Sequence, residues 1–102
     1  MDARINSAAL SGMRAAQTRL SSAANNIANA QTDGYRREQV SSQAEPVPGA
    51  GVRTRIDKRP EPGADLAADM VEQKMAATNF AANLQVFKAA DQAMGRLLDT
   101  RA

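Results

Sequence analysis

Cysteine and histidine are both absent from this sequence of 102 residues. Without cysteine the chain can form neither a disulfide nor a thiolate metal site, so its stability must come from packing. Without histidine it lacks the commonest general base and the commonest metal ligand. These absences exclude most familiar active sites. We therefore predict that the chain is not an enzyme and that it uses no metal or cofactor.

Large apolar residues are scarce as well. Leucine, isoleucine, valine and phenylalanine together number 16, whereas 22 residues are alanine. This share of large apolar residues is lower than a self-sufficient globular interior usually has, although the net charge of +2 argues against plain disorder. We expect the chain to need a partner before it is fully ordered.

No apolar run is long enough to span a membrane, and the N-terminus "MDARINSAAL" lacks the basic and then apolar layout of a cleaved secretion signal. We therefore expect a soluble protein without a cleaved leader. Charge of one sign is not concentrated anywhere, because the six basic residues around the middle of the chain share their segment with six acidic ones. Tyr35 is the one aromatic ring in that segment, so nucleic-acid binding is not predicted.

Two long segments show helical periodicity. In the first, residues at alternating spacings of three and four form a stripe on a helix from about Ile5 to Ala30. In the second, the same alternation forms a heptad stripe on a helix that starts after Asp65, a plausible N-cap. Val71, Met75, Val86 and Leu97 widen this second apolar face. The stripes are Leu10, Met13, Gln17, Leu20, Ala24 and Ile27, then Leu66, Met70, Gln73, Ala77, Phe80, Leu84, Phe87, Asp91, Met94, Leu98 and Arg101.

The segment between the helices contains all four prolines and four of the six glycines. Within it, "YRREQV" and "VRTRID" predict a short two-stranded ribbon across the bend "EPVPGAG". The predicted fold is mainly α: two long helices pair as an antiparallel coiled coil or join an oligomeric helical bundle, and the extended linker forms a β-hairpin. The predicted segments are residues 1–32, 33–64 and 65–102, which together form one domain.

Two local features allow more than one interpretation. Gly12 costs about 1 kcal/mol relative to alanine inside a helix, which indicates either a tolerated surface position or, as we prefer, close approach of another helix. Asn25 and Asn29 lie on one side of the first helix, and Asn26 points elsewhere. These amides either end the helix before the turn at Asp33 and Gly34 or form hydrogen bonds with neighbouring chains.

The stretch "SAALSGMRAAQTRLSSAANNIANAQTDGYRR", from Ser7 to Arg37, resembles the N-terminal motif of bacterial flagellar rod, hook and hook-associated axial proteins. The C-terminal stretch "DLAADMVEQKMAATNFAANLQVFKAADQAMGRLLD" resembles the C-terminal helix of the same family, with Phe80 where tyrosine is usual and Lys74 at an often apolar position. The region between the helices is shorter than the family usually has, which favours a minimal rod-like subunit or a reduced paralogue.

The resemblance implies a structural subunit of the flagellar basal body rod, located in the periplasm, whose terminal helices pair and self-assemble around an export channel. It also implies export by the flagellar type III apparatus without a cleaved signal, and partners that are copies of the chain and other rod or hook proteins. No membrane insertion is implied. The residues expected at subunit interfaces are Leu10, Gly12, Met13, Leu20, Asn25, Asn26, Ile27, Asn29, Tyr35, Leu66, Met70, Phe80, Asn83, Leu84, Phe87, Met94 and Leu98.

The alternative function is a small soluble oligomeric helical adaptor or assembly factor related to rod proteins. A closed oligomer of fixed size would favour the adaptor, whereas open-ended polymers would favour the rod subunit.

Overall fold

The computed structural model describes residues 3–47 and 49–101. Along the chain it contains helix α1 (Ala3–Ala28), strand β1 (Glu38–Ala44), strand β2 (Val52–Lys58) and helix α2 (Leu66–Arg101). The two helices pack against each other, and the two strands form one antiparallel hairpin between them in the chain. The predicted fold class is therefore confirmed.

Local chemistry sets the helix ends. The carboxylate of Asp65 accepts a hydrogen bond of 3.1 Å from the backbone N–H of Ala68, which caps the start of α2 as expected. Helix α1 ends at Ala28, two residues earlier than the sequence predicted. A turn follows in which Gly34 has a φ of 74°, the left-handed conformation that the Asp-Gly pair predicted.

The hairpin lies against α1. Its register places Val40 opposite Ile56 and Ser42 opposite Thr54. Val40 and Thr54 face inward and are half-buried, whereas the alternate residues face solvent. The predicted ribbon is therefore present, and its inner face covers one flank of α1.

The helices of the pair run antiparallel. Gly12 of α1 contacts Asn83 of α2, and Asn26, farther along α1, contacts Asp69, which lies earlier in α2. Partner numbers in α2 thus fall as those in α1 rise. Because α2 is ten residues longer than α1, its last turns extend beyond the paired region. Leu97 and Leu98 in this extension are more than half exposed.

The seam between the two helices is made of small residues. All the apolar residues that are fully buried in the described part of the chain are alanines: Ala9, Ala16, Ala23, Ala76 and Ala90. Alanine and glycine let two helix backbones approach closely, which larger side chains would prevent. The seam in α1 therefore lies one position before the predicted stripe, because that stripe was chosen for its larger residues.

Gly12 belongs to this close approach. A Cβ atom at Gly12 would lie 2.5 Å from Oδ1 of Asn83, so glycine lets that side chain lie against α1, and a larger residue would force it to move. The preferred interpretation of Gly12, close approach of another helix, is confirmed. The helix in question belongs to the same chain.

Candidate functional site

The predicted stripe of α1 lies beside the seam. Leu10 and Met13 follow the seam residues Ala9 and Gly12 by one position, which turns them about 100° around the helix axis, and Leu20 and Ile27 repeat the position of Met13 at heptad spacing. In α2 the stripe is offset from the buried positions in the same direction. Met70 follows the buried Asp69, and Leu84 follows the half-buried Asn83. Because the helices are antiparallel, equal offsets bring both stripes to the same side of the pair. They form one surface, which we call the apolar face.

Much of the apolar face is open to solvent. Leu66, Met70 and Leu98 are 47%, 56% and 64% exposed, and Leu10 and Met94 are more than a third exposed. The others are half-buried at the rim of the seam. The apolar face consists of Leu10, Met13, Leu20, Ile27, Leu66, Met70, Phe80, Leu84, Phe87, Met94 and Leu98.

The accessible surface area of the whole chain indicates that the apolar face is left exposed in the isolated chain. The accessible surface is 7176 Å². A folded monomer of 10.8 kDa is expected to expose about 5,500 Å². The excess, roughly 1,600 Å², is about twice the 800 Å² or so that one partner buries in a protein–protein interface of standard size. The chain is elongated, 63 × 25 × 14 Å, and both this shape and the open apolar side chains increase its exposed area.

A second apolar strip lies elsewhere on α2. Val71, Met75, Val86 and Leu97 are each about half exposed and do not belong to the seam or to the apolar face. They make α2 apolar around more than one side, as its sequence predicted. A helix with this pattern is suited to contacts with more than one neighbour.

At the other end of the pair, the side chain of Asn26 joins three elements. Its Nδ2 donates to the backbone oxygen of Glu38 at 3.0 Å and to Oδ1 of Asp69 at 3.3 Å. Its Oδ1 accepts from the backbone N–H of Glu38 at 2.8 Å and from the hydroxyl of Tyr35 at 3.0 Å. The amide is buried, and all four of its hydrogen-bonding positions are used within the chain.

Arg37 completes this cluster, because two of its guanidinium nitrogens donate hydrogen bonds to the Asp69 carboxylate. Nε donates to Oδ2 at 3.0 Å, and Nη2 donates to Oδ1. These hydrogen bonds are the main reason that the pKa of Arg37 is raised above its ordinary value. Asp69 itself is buried and would be costly to leave unpaired. We call Asn26, Tyr35, Arg37, Glu38 and Asp69 the polar node.

Tyr35 and Asn25 form the outer side of the polar node. Nδ2 of Asn25 donates to the Tyr35 hydroxyl at 2.9 Å and to the Glu38 carboxylate at 3.1 Å. Burial, and then the negative charges of Glu38 and Asp69, raise the pKa of Tyr35. The folded state therefore favours the neutral phenol, which can donate to Asn26. This contribution to stability is complete below the ordinary tyrosine pKa and is lost as the pH rises through the raised value.

The predicted site residues thus divide into two groups. Eleven of them form the apolar face. Gly12, Asn25, Asn26, Tyr35 and Asn83 have partners within the chain, and Asn29 bonds to Asn25 and Thr32. Their predicted contacts with neighbouring subunits stay a prediction.

Sequence reasoning did not foresee the roles of Glu38, Asp69 and Ser11. Asp69 forms the buried ion pair with Arg37. Ser11 fastens the hairpin tip, since its hydroxyl accepts from the N–H of Val52 and donates to the carbonyl of the same residue, both at 2.9 Å. The sequence does not indicate this contact, because a serine in the middle of a helix is common and its partner lies 41 residues away.

Other classes of site find no support in the described part of the chain. Residues 3–47 and 49–101 contain no group of three acidic side chains placed to hold a metal ion. Neither described helix is long and apolar enough to cross a membrane.

The sequence of most of α1, of the turn after it and of Tyr35 is similar to that of a known family. Residues 7–36 match the family model for "Flagella basal body rod protein". The resemblance to flagellar rod proteins is confirmed. The match covers less than a third of the chain, and no curated protein matches it. It supports a structural role in the flagellar rod and a location at the flagellar basal body, together with other rod proteins.

The rod match spans α1 and part of the polar node. It includes Gly12 and Asn26, whose partners Asn83 and Asp69 lie outside it in α2, and also Tyr35, whose hydroxyl bonds to Asn25 and Asn26 within it. The matched segment therefore provides the helix on which α2 packs. The apolar face is built from both the matched helix and the unmatched one.

Proposed function

We propose that the chain is a structural subunit of the flagellar rod that self-assembles by burying its apolar face against other subunits. The observation that carries this proposal is the face itself: one continuous side of the helix pair, made of both terminal helices, on which large apolar side chains remain exposed. Patches of this kind on small proteins mark interaction sites. The rod match supports the identity of the assembly.

The composition and spacing of the apolar face indicate that its binding partners are helices of the same kind. The stripes carry one charged residue in the described side chains, Asp91, so a partner needs little charge complementarity. Their spacings of three and four fit the interlocking of side chains between long helices. The partners we propose are copies of this chain and other rod or hook subunits.

The test is a sedimentation-velocity series on the full chain at increasing concentration. Wild-type protein should form growing assemblies. Leu98→Glu and Met70→Glu should remain smaller, because each places a charge on an exposed part of the apolar face. Gln85→Glu adds the same charge at a neighbouring exposed position outside the face and should assemble like the wild type. If all three variants assemble alike, the apolar face is not the assembly surface.

We also propose that the flagellar type III apparatus exports the chain, which the resemblance of its N-terminal segment to exported rod proteins supports. Deleting residues 1–30 should abolish its secretion from flagellated cells. Deleting residues 73–102 removes an equally long piece and also disrupts the helix pair, but it should leave secretion intact. Normal secretion of the first variant would refute the proposed export signal.

A further inference from the structure

Strand β2 has an unpaired outer edge. Hydrogen bonds from Glu45 to Gly51 and from Arg59 to Arg37 close the two ends of the hairpin ladder. In an antiparallel ladder the bonded pairs alternate, so the odd-numbered residues bond across the hairpin. The even-numbered residues of each strand therefore direct their backbone N–H and C=O groups outward.

Parts of the hairpin's edges are already covered. On β1, the outward groups of Glu38 bond to Asn26, and the carbonyl of Val40 accepts from Arg19. On β2, Ser11 occupies both outward groups of Val52. These bonds agree with the alternation and show which part of the edge α1 reaches.

The rest of the β2 edge is open. Within residues 3–47 and 49–101, no hydrogen bond engages the backbone N–H or C=O of Thr54, Ile56 or Lys58. Ile56 is 52% exposed even though it faces the side of the hairpin that packs on α1. Three consecutive outward residues with free donors and acceptors can accept an added strand.

We propose that two copies of the chain pair through this edge, with the two β2 strands antiparallel and Ile56 opposite the partner's Ile56. Thr54 then lies opposite the partner's Lys58, so every open N–H and C=O of both edges is bonded. The pairing is two-fold symmetric, and each copy presents the same surface. The result is a four-stranded sheet that continues from one copy to the other.

Hydrogen bonding selects this register. A shift by one step pairs an open residue either with the partner's Val52, whose outward groups Ser11 already occupies, or with the partner's Pro60, which has no N–H. With Ile56 at the centre, Arg55 lies opposite the partner's Asp57 and Asp57 opposite the partner's Arg55 on the solvent face of the sheet, whereas Arg53 lies opposite the partner's Arg59. Opposite charges at facing positions stabilise a strand pair and like charges destabilise it, so the charges near the centre support the pairing but do not alone set its register.

The surroundings leave room for the second strand. An open groove of about 560 Å³ lies between β2 and the outer side of α1, and its lining includes Arg14, Thr18, Ser21 and Ile56. Apart from Ile56 its lining is polar, and its volume exceeds that of the partner's Ile56 side chain. The ammonium of Lys58 lies 4.9 Å from the ring centre of Tyr35 and so is directed away from the edge. Pro60, which lacks an N–H, limits the edge to these three residues.

The β2 edge is separate from the apolar face. It belongs to the hairpin and lies beside α1, on the side of α1 that points away from α2. The inference therefore does not depend on the proposed assembly through the helices. It adds a second contact, of a different kind, between copies of the same chain.

Cysteine crosslinking tests the register, since the chain has no cysteine of its own. Facing residues in a bonded antiparallel pair have Cα atoms about 5.5 Å apart, within the range of a disulfide. Ile56→Cys should therefore oxidise to a disulfide-linked dimer at least about tenfold faster than Thr54→Cys, whose symmetry mate is roughly 13 Å away. Non-reducing gels follow both reactions in the full-length chain. Equal rates for the two variants overturn the proposal.

Charge reversal gives a second, independent test. Arg55→Asp alone and Asp57→Arg alone should each weaken dimerisation, because each variant places like charges opposite one another. A mixture of the two variants should form heterodimers, and the double variant should dimerise like the wild type. Within one copy Arg55 also forms an exposed ion pair with Asp57 at 3.1 Å, which each single variant removes and the double variant restores, so circular dichroism must first show that both single variants fold. Absence of heterodimers in the mixture overturns the proposed register.

Repeating the crosslinking with Leu98→Glu separates the two surfaces. If the edge pairing is correct, Ile56→Cys still crosslinks selectively when the apolar face carries this charge. If selectivity disappears in that background alone, crosslinking in the wild type came from association through the helices, and the edge proposal is wrong.

Discussion

Asn26 is a poor helix former that nevertheless lies within α1, because its amide joins α1, β1 and α2. Replacing it with alanine leaves the buried Asp69 and the backbone of Glu38 with unmade hydrogen bonds. We expect Asn26→Ala to lower the free energy of unfolding by about 2–4 kcal/mol, measured by urea denaturation at low protein concentration.

Asn79→Ala is the matched control for that measurement. Asn79 is exposed on α2, and its replacement removes a residue of low helix propensity. We expect it to leave stability unchanged or to raise it by about 0.5 kcal/mol. Similar losses in both variants would mean that the buried bonds of Asn26 contribute nothing specific.

Gly12 and Gly95 allow a second comparison at the scale of single residues. In an open helix position, glycine to alanine stabilises by about 1 kcal/mol, and this is expected for Gly95→Ala, since no atom lies within 4 Å of the added Cβ. Gly12→Ala should stabilise less than Gly95→Ala, by about 1 kcal/mol, because the added Cβ would displace the Asn83 side chain and break its hydrogen bond to the Asn79 carbonyl.

Thermal unfolding of both single variants and of Gly12→Ala combined with Asn83→Ala measures the effect. The double variant removes the colliding side chain and should recover most of the difference from Gly95→Ala. Stabilisation by Gly12→Ala as large as that by Gly95→Ala would contradict the close helix approach.

At the scale of elements, the sequence predicted which segments form helices and strands, and the reasons are local. The cap at Asp65, the turn at Gly34 and the alternation in "VRTRID" depend on neighbouring residues. The seam could not be predicted in this way. Leu10 and Leu20 have the stronger apolar signal, but Ala9 and Ala16 form the contact, because close approach depends on both helices together.

The polar node shows the same limit. Asn26 and Tyr35 could be singled out from the sequence as part of a motif, whereas Asp69 lies 43 residues from Asn26 in the chain. Its carboxylate looks like an ordinary first-turn acid until the antiparallel pairing places it beside Arg37. The long-range partner, and with it the role of the residue, becomes visible only in the folded arrangement.

Attachment of the hairpin to α1 gives a prediction for this scale. Ser11 holds the tip through Val52, while Asn26 holds the base through Glu38. In Ser11→Ala, hydrogen exchange of the Val52 amide should become faster by about the equivalent of 1 kcal/mol, and that of the Glu38 amide should stay unchanged. Exchange measured by NMR distinguishes the two amides. Equal acceleration at both would mean that the hairpin detaches as one unit.

For the whole molecule, the decisive quantity is how little large apolar surface the chain buries by itself. The residues of its seam are alanines, whose burial contributes less than that of leucine or phenylalanine, while Leu98 and Met70 remain exposed. Covering the apolar face must therefore supply part of the stability. Association that favours the folded state makes the unfolding temperature depend on concentration.

We accordingly expect the midpoint of thermal unfolding, followed by circular dichroism, to rise by roughly 5–15 °C when the wild-type concentration is raised about a hundredfold. The rise should be much smaller for Leu98→Glu, because the charge prevents the association that adds stability at high concentration. Gln85→Glu should behave like the wild type. A midpoint for the wild type that does not change with concentration would show that the alanine seam suffices for stability, and the exposed leucines would then need another explanation than assembly.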